Sequence, residues 1–91
     1  MGKVEKLNKD IDKLEAKIYL IHEEIDAAKK EFNDKLITRA EYTTLKMKNQ
    51  TKVRGFRTAI GKKEKARMLL EKKYREKAEK KEKKRLDREE K

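Results

Sequence analysis

The 91-residue chain contains no cysteine, proline or tryptophan, and only one histidine and three glycines. Without cysteine it has no disulfide, no thiolate nucleophile and no cysteine-based zinc site. The single histidine, His22, excludes a histidine cluster for a metal. The longest apolar run, residues 18–21, is too short to cross a bilayer, and no apolar segment near the N-terminus suggests secretion. We therefore expect a cytoplasmic protein without metal, cofactor or membrane contact.

Charge is abundant and unevenly distributed. Charged residues make up 52% of the chain, and the net charge is +11. Residues 1–37 hold 8 Lys and 9 acidic residues, a net charge of −1, whereas residues 38–91 hold 14 Lys, 7 Arg and 9 acidic residues, a net charge of +12. This asymmetry is typical of a surface that meets a polyanion.

The N-terminal third carries an apolar stripe in which residues recur at alternating spacings of three and four. That spacing predicts a heptad-patterned helix over residues 3–34. The stripe consists of Val4, Leu7, Ile11, Leu14, Ile18, Ile21, Ile25, Ala28 and Phe32.

The stripe ends at a short polar break over residues 33–38. Thr38 and Glu41 have the spacing of a capping box, so a second helix is predicted from residue 39. So short a break favours an antiparallel return. The run from Phe32 through Leu36-Ile37-Thr38 to Glu41-Tyr42 resembles the hairpin of short C-terminal SHOCT-type domains. The resemblance implies the turn geometry and no particular function.

Folding the chain back at residue 37 places residues whose numbers sum to about 74 opposite each other. This register predicts an all-α, antiparallel two-helix coiled-coil hairpin over residues 1–70, which dimerises into a four-helix bundle. Residues 71–91 are predicted to form a charged helical extension or a disordered basic tail. In the second helix, Gly55 is predicted opposite Tyr19 and Leu20, where a small residue permits a close approach of the backbones, and the alternative role of Gly55 and Gly61 is a kink.

Catalytic machinery is not evident in this sequence. The glycines match no phosphate-binding loop, and the predicted position of His22 beside the helix seam favours a structural role over that of a general base. We expect no enzymatic activity.

The most informative segment is the acid-free stretch of 22 residues between Glu41 and Glu64. It combines seven basic residues with Thr, Asn and Gln, a mixture that holds phosphate backbones. The predicted nucleic-acid-binding residues are Lys46, Lys48, Lys52, Arg54, Arg57, Lys62 and Lys63. The alternative is neutralisation of this surface by acids of the first helix, namely Glu15, Glu23, Glu24 and Asp26.

The cluster Ile18, Tyr19, Leu20 and Ile21 covers more than one face of the first helix, which predicts a second contact and hence a homo-oligomer. Two functions remain open. The first is non-enzymatic binding of DNA or RNA through phosphates by the basic face of the second helix. The second is a coiled-coil protein that assembles with a helical or acidic protein partner.

Overall fold

A computed structural model of the chain describes residues 2–89 and contains two helices. Helix α1 spans Lys3–Asn33 and helix α2 spans Arg39–Glu89. The two helices pack against each other, and no strand occurs in the described part of the chain. The all-α fold and the helical hairpin predicted from the sequence are thus confirmed.

The hairpin buries a narrow seam, which consists of the predicted apolar stripe of α1 and the α2 residues that face it. The apolar side chains that are less than a tenth exposed are Ile11, Ile21, Ala28, Val53 and Ile60. Most other stripe residues are half-buried, because two helices alone cannot enclose the full width of each apolar face.

Contacts between the helices establish the register. The Phe32 and Tyr42 rings stack with their centroids 5.4 Å apart. Asn49 Nδ2 donates to Glu24 Oε2 at 3.4 Å, Lys63 Nζ to Asp10 Oδ2 at 3.4 Å, and Arg67 Nη1 to Asn8 Oδ1 at 2.7 Å. The residue numbers of these pairs sum to between 73 and 75, so the antiparallel register predicted from the sequence is confirmed.

Polar residues that interrupt the α2 stripe are accommodated by partners on α1. Asn49, which is 4% exposed, is satisfied by the Glu24 carboxylate. Lys63 and Arg67 reach polar side chains at the edges of α1. Because of these interactions, α2 packs against the apolar stripe of α1 and leaves no buried side-chain nitrogen or oxygen unpaired among the described residues.

Local backbone chemistry defines the turn. The Glu41 amide donates to Thr38 Oγ1 at 3.1 Å, and the Thr38 amide donates to Glu41 Oε1 at 3.5 Å, so the predicted capping box is present. The Leu36 amide donates to the Glu31 carbonyl and the Lys35 amide to the Phe32 carbonyl, which closes α1 with a Schellman motif. Lys35 adopts φ 62° there, in the left-handed region that favours glycine.

Helix α2 is much longer than α1 and continues past the hairpin. In the observed register, the first residue of α1 lies opposite residue 71 of α2. Side chains from 71 to 86 are all exposed. The helical alternative for the C-terminal segment is confirmed as far as Glu89, and the last two residues of the predicted extension lie outside the described residues.

Neither predicted role of the α2 glycines is correct. A Cβ added at Gly55 or Gly61 would meet nothing within 4 Å, so no close approach of backbones requires them. The helix also runs unbroken, and its 51 residues need about 76 Å at 1.5 Å each, close to the 81 Å long axis of the molecule. A sharp kink would shorten that axis.

We therefore expect Gly55→Ala and Gly61→Ala each to stabilise the hairpin by about 1 kcal/mol, because glycine loses more backbone entropy than alanine in a helix. Urea unfolding followed by circular dichroism measures the change. Ala59→Gly, on the same helix, is the reverse control and should destabilise. A loss of stability in either alanine variant would show that the glycine serves a contact absent from the isolated hairpin.

Candidate nucleic-acid interface

The basic residues predicted to bind nucleic acid do not form one surface. Six of the seven are exposed, and only Lys63 is half-buried. Two grooves run along opposite flanks of the seam, and each takes a different pair of these residues. Lys48 and Lys52 line one groove, whereas Arg54 and Arg57 line the other.

The first groove, here called the mixed-charge groove, encloses about 660 Å³ near the turn. Its two lysines share the lining with three carboxylates, Glu24, Glu31 and Glu41. The remaining lining residues are Ile37, Ala40, Thr44, Leu45 and Asn49. Carboxylates beside the lysines reduce the positive potential that a polyanion would meet there. This flank follows the alternative interpretation, in which α1 neutralises the basic residues.

The second groove, here called the arginine groove, encloses about 340 Å³ and contains no acid. Its lining is His22, Gln50, Val53, Arg54 and Arg57. Val53 is 6% exposed and forms the apolar floor, while the other four side chains carry hydrogen-bond donors. Arg54 Nη2 donates to Thr51 Oγ1 at 3.3 Å, which orients the guanidinium along the helix.

Hydrogen-bonding residues of the acid-free segment are only partly available to a ligand. Asn49 is buried in the seam. Thr51 and Thr58 donate their hydroxyl protons to the carbonyls of Met47 and Arg54, one turn earlier. These hydroxyls retain only acceptor capacity, which a phosphate cannot use. Gln50 is the amide that lies in the arginine groove.

Two further basic residues are engaged with aromatic rings or acids. Lys46 Nζ lies 5.9 Å from the centroid of the Tyr42 ring. Lys63 forms an ion pair with Asp10, and that pair occupies the edge of the seam. Phe56 is half-buried, with Lys17 Nζ 5.7 Å from its ring centroid, so this ring is not open for stacking on a base.

The predicted oligomer interface is also divided by the hairpin. Ile21 is 8% exposed and packs in the seam, and Ile18 is half-buried there. Tyr19 and Leu20 point away from α2 and are 63% and 58% exposed. The Glu23 carboxylate accepts a hydrogen bond from the Tyr19 hydroxyl and repels its phenolate, which raises the pKa of Tyr19 above its ordinary value. Of the four residues of this predicted interface, Tyr19 and Leu20 remain open to a second copy.

Sequence reasoning counted Gln50 among the neutral hydrogen-bonding groups of the acid-free segment, but it missed His22 as a member of a basic groove. Gln50, Arg54 and Arg57 are spaced i, i+4 and i+7, which places them on one helix face. The α2 side of the arginine groove could therefore be predicted from the sequence. The position of His22 beside them depends on the packing of α1 against α2.

No protein-family model, curated protein or solved structure matches this chain. Within residues 2–89, neither helix has an apolar stretch long enough to cross a membrane. The same residues contain no group of three or more His, Cys, Asp and Glu side chains placed to hold a metal ion.

Proposed function

We propose that this protein is a non-enzymatic helical hairpin that binds nucleic acid through its phosphates, with the arginine groove of α2 as the contact surface. The observation that supports this most directly is the composition of that groove. Two guanidinium groups, an amide and an imidazole converge over an apolar floor, and no carboxylate is among the lining residues.

The chemistry of these groups suits a phosphate diester. Arginine binds two phosphate oxygens at once through its planar fork, and each neutralised phosphate releases counterions from the nucleic acid. The net charge of +11 adds attraction at long range. Arg and Gln can read base edges in the major groove, but a hairpin two helices wide cannot enter that groove, so binding is expected to depend weakly on sequence.

The test is a salt titration of binding to a labelled DNA duplex and to an RNA duplex of the same sequence, followed by fluorescence anisotropy. Log affinity should fall linearly with log salt concentration, and phosphate contacts by Arg54 and Arg57 should contribute about −2 to the slope on DNA. An absence of binding to both duplexes at low salt would contradict the proposed function.

A second candidate function, assembly with another helical protein, is favoured by the outer face of α1. Tyr19 and Leu20 are large, exposed and adjacent. The simplest partner is a second copy of the hairpin, which would cover them in a four-helix bundle. Sedimentation velocity over a range of concentrations tests self-association, and a monomer at high micromolar concentration would contradict it.

A further inference from the structure

The C-terminal part of α2 is a lone helix. Residues 71–86 lie beyond the end of α1, and every side chain among them is exposed. This segment, here called the overhang, is accessible from all directions, whereas the hairpin is two helices wide, roughly 20 Å when the helix axes are about 8–10 Å apart. A single α-helix with its side chains is only about 10–12 Å wide.

The charges of the overhang are sorted around the helix. At 100° per residue, its basic arc spans about 140° of the circumference and contains six cations without an acid. These residues are Lys73, Lys77, Lys80, Lys81, Lys84 and Arg85. Their spacings of three, four and seven keep them on one face.

The acids occupy a different arc, also about 140° wide. Glu71, Glu76, Glu79 and Glu82 lie there, interspersed with three cations. Here called the mixed arc, it is close to neutral, because those cations, Lys72, Arg75 and Lys83, nearly balance the four carboxylates. The overhang is therefore amphipathic in charge, although its composition alone suggests uniform mixing of acids and bases.

The basic arc lies on the same side of α2 as the lysines of the mixed-charge groove. Beside the hairpin, carboxylates of α1 border this side: Glu24 and Glu31 line the groove, and Asp10 pairs with Lys63. Since α1 begins at Lys3, opposite residue 71, it does not run beside the overhang. Within the overhang itself, Glu76 and Glu79 border Lys80, and Glu82 borders Lys81 and Arg85, so the least compensated cations of the basic arc are Lys73, Lys77 and Lys84.

We propose that the basic arc of the overhang is a second DNA-binding surface, which seats the lone helix in the major groove of B-form DNA. This inference rests on the proposed function in taking phosphates as the ligand. The major groove is about 12 Å wide and admits one α-helix. The hairpin is too wide to enter it. Cations at the two edges of the arc face the phosphates of the two flanking strands, and the mixed arc faces solvent.

Charge sorting favours DNA over a lipid surface. A helix that lies on a membrane needs a large apolar face beside its basic one. In the overhang the mixed arc carries carboxylates, and the three apolar residues of the overhang, Tyr74, Ala78 and Leu86, do not form a continuous face.

The overhang and the arginine groove act separately. By the same helical geometry they point in roughly opposite directions, and about 35 Å of helix separates their centres. A straight short duplex cannot reach both. One chain should therefore bind two duplexes of about 10 bp at saturation.

The experiment compares two triple variants of the full chain in the DNA salt titration. Lys77→Gln, Lys81→Gln and Lys84→Gln remove three charges from the basic arc. Lys72→Gln, Arg75→Gln and Lys83→Gln remove three from the mixed arc. The basic-arc variant should flatten the salt slope by nearly 3 and lower the stoichiometry to one duplex per chain, whereas the mixed-arc variant should change the slope by less than about 1.

Loss of helicity cannot produce this result. The mixed-arc variant removes favourable i, i+4 pairs such as Glu71–Arg75 and Glu79–Lys83, so circular dichroism should show it to be the less helical of the two. Equal effects of the two variants on DNA affinity would overturn the proposal, because bulk charge would then be sufficient.

Further binding measurements identify the ligand and the part of the chain that binds it. A-form RNA has a major groove too narrow for a helix, so an equal difference between the variants on duplex RNA would overturn seating in the groove. A larger loss of binding to phosphatidylserine vesicles than to DNA would overturn it in favour of lipid. If Arg54→Gln with Arg57→Gln abolishes all DNA binding and the overhang variants bind as the wild type does, the proposed function stands and this inference fails.

Discussion

Ile21→Asp is expected to unfold most of the hairpin, whereas the same substitution at the next residue, Leu20→Asp, should leave it folded. Ile21 is 8% exposed in the seam, and Leu20 is 58% exposed on the outer face of α1. A carboxylate at position 21 loses the burial of the isoleucine and enters an apolar seam without a partner, at a cost of about 5 kcal/mol. Small domains have roughly 5–15 kcal/mol of stability in total.

Circular dichroism and thermal unfolding of both variants measure this difference. Leu20→Asp should lower the free energy of unfolding by only about 1 kcal/mol in the monomer, because Leu20 is 58% exposed and the cost comes mainly from the lower helix propensity of Asp and from repulsion by Glu23 and Glu24. In the same samples, sedimentation tests the second candidate function: a wild-type dimer that becomes a folded monomer in Leu20→Asp places the interface on Tyr19 and Leu20. A folded, fully helical Ile21→Asp protein would contradict the seam.

The arginine groove should dominate DNA binding within the acid-free segment. Replacement of Arg54 and Arg57 by Gln is expected to flatten the salt slope by about 2, since each lost phosphate contact changes it by about 0.9. Replacement of Lys48 and Lys52 by Gln should change the slope less. Both double variants remove two charges from α2, but the lysines lie among three carboxylates and the arginines do not.

Helix content is not expected to differ between these variants, because Gln, Lys and Arg have similar helix propensities. Circular dichroism provides that control. Equal slopes in the two double variants would mean that the hairpin attracts DNA by its overall charge, without a site in the groove. If the lysine variant flattens the salt slope more than the arginine variant does, the contact surface lies in the mixed-charge groove.

Features that depend on neighbouring residues in the chain were predictable without a structure. The stripe that ends at Phe32 and the capping box at Thr38 act over a few residues, and α1 and the start of α2 agree with them. Register followed as well, because a short turn leaves one antiparallel alignment that matches apolar residues, as the Phe32–Tyr42 stack shows. The left-handed conformation of Lys35 could not be predicted, since a lysine at that position gives no local signal for a positive φ.

The candidate site was only partly predictable. Its basic residue types are visible in the acid-free segment, and the i, i+4 and i+7 spacing of Gln50, Arg54 and Arg57 indicates that these three share one face. Which side chains of α1 lie beside that face depends on the packing of the two helices. The predicted role of Gly55 was wrong because its position opposite Tyr19 and Leu20 was inferred from register alone. Register specifies which turns lie side by side, whereas the outward rotation of Gly55 depends on helical phase.

By itself, the sequence determined two helices, the turn between them and their antiparallel alignment. Heptad spacing, hydrogen bonding within one helical turn and the matching of apolar residues are encoded along the chain. Only the tertiary structure decided which cations have carboxylate neighbours. Lys48 and Lys52 lie beside Glu24, whereas Arg54 and Arg57 lie beside His22. That difference depends on which side chains of α1 lie beside each flank of α2, because electrostatic attraction depends on distance in space and not on separation along the chain.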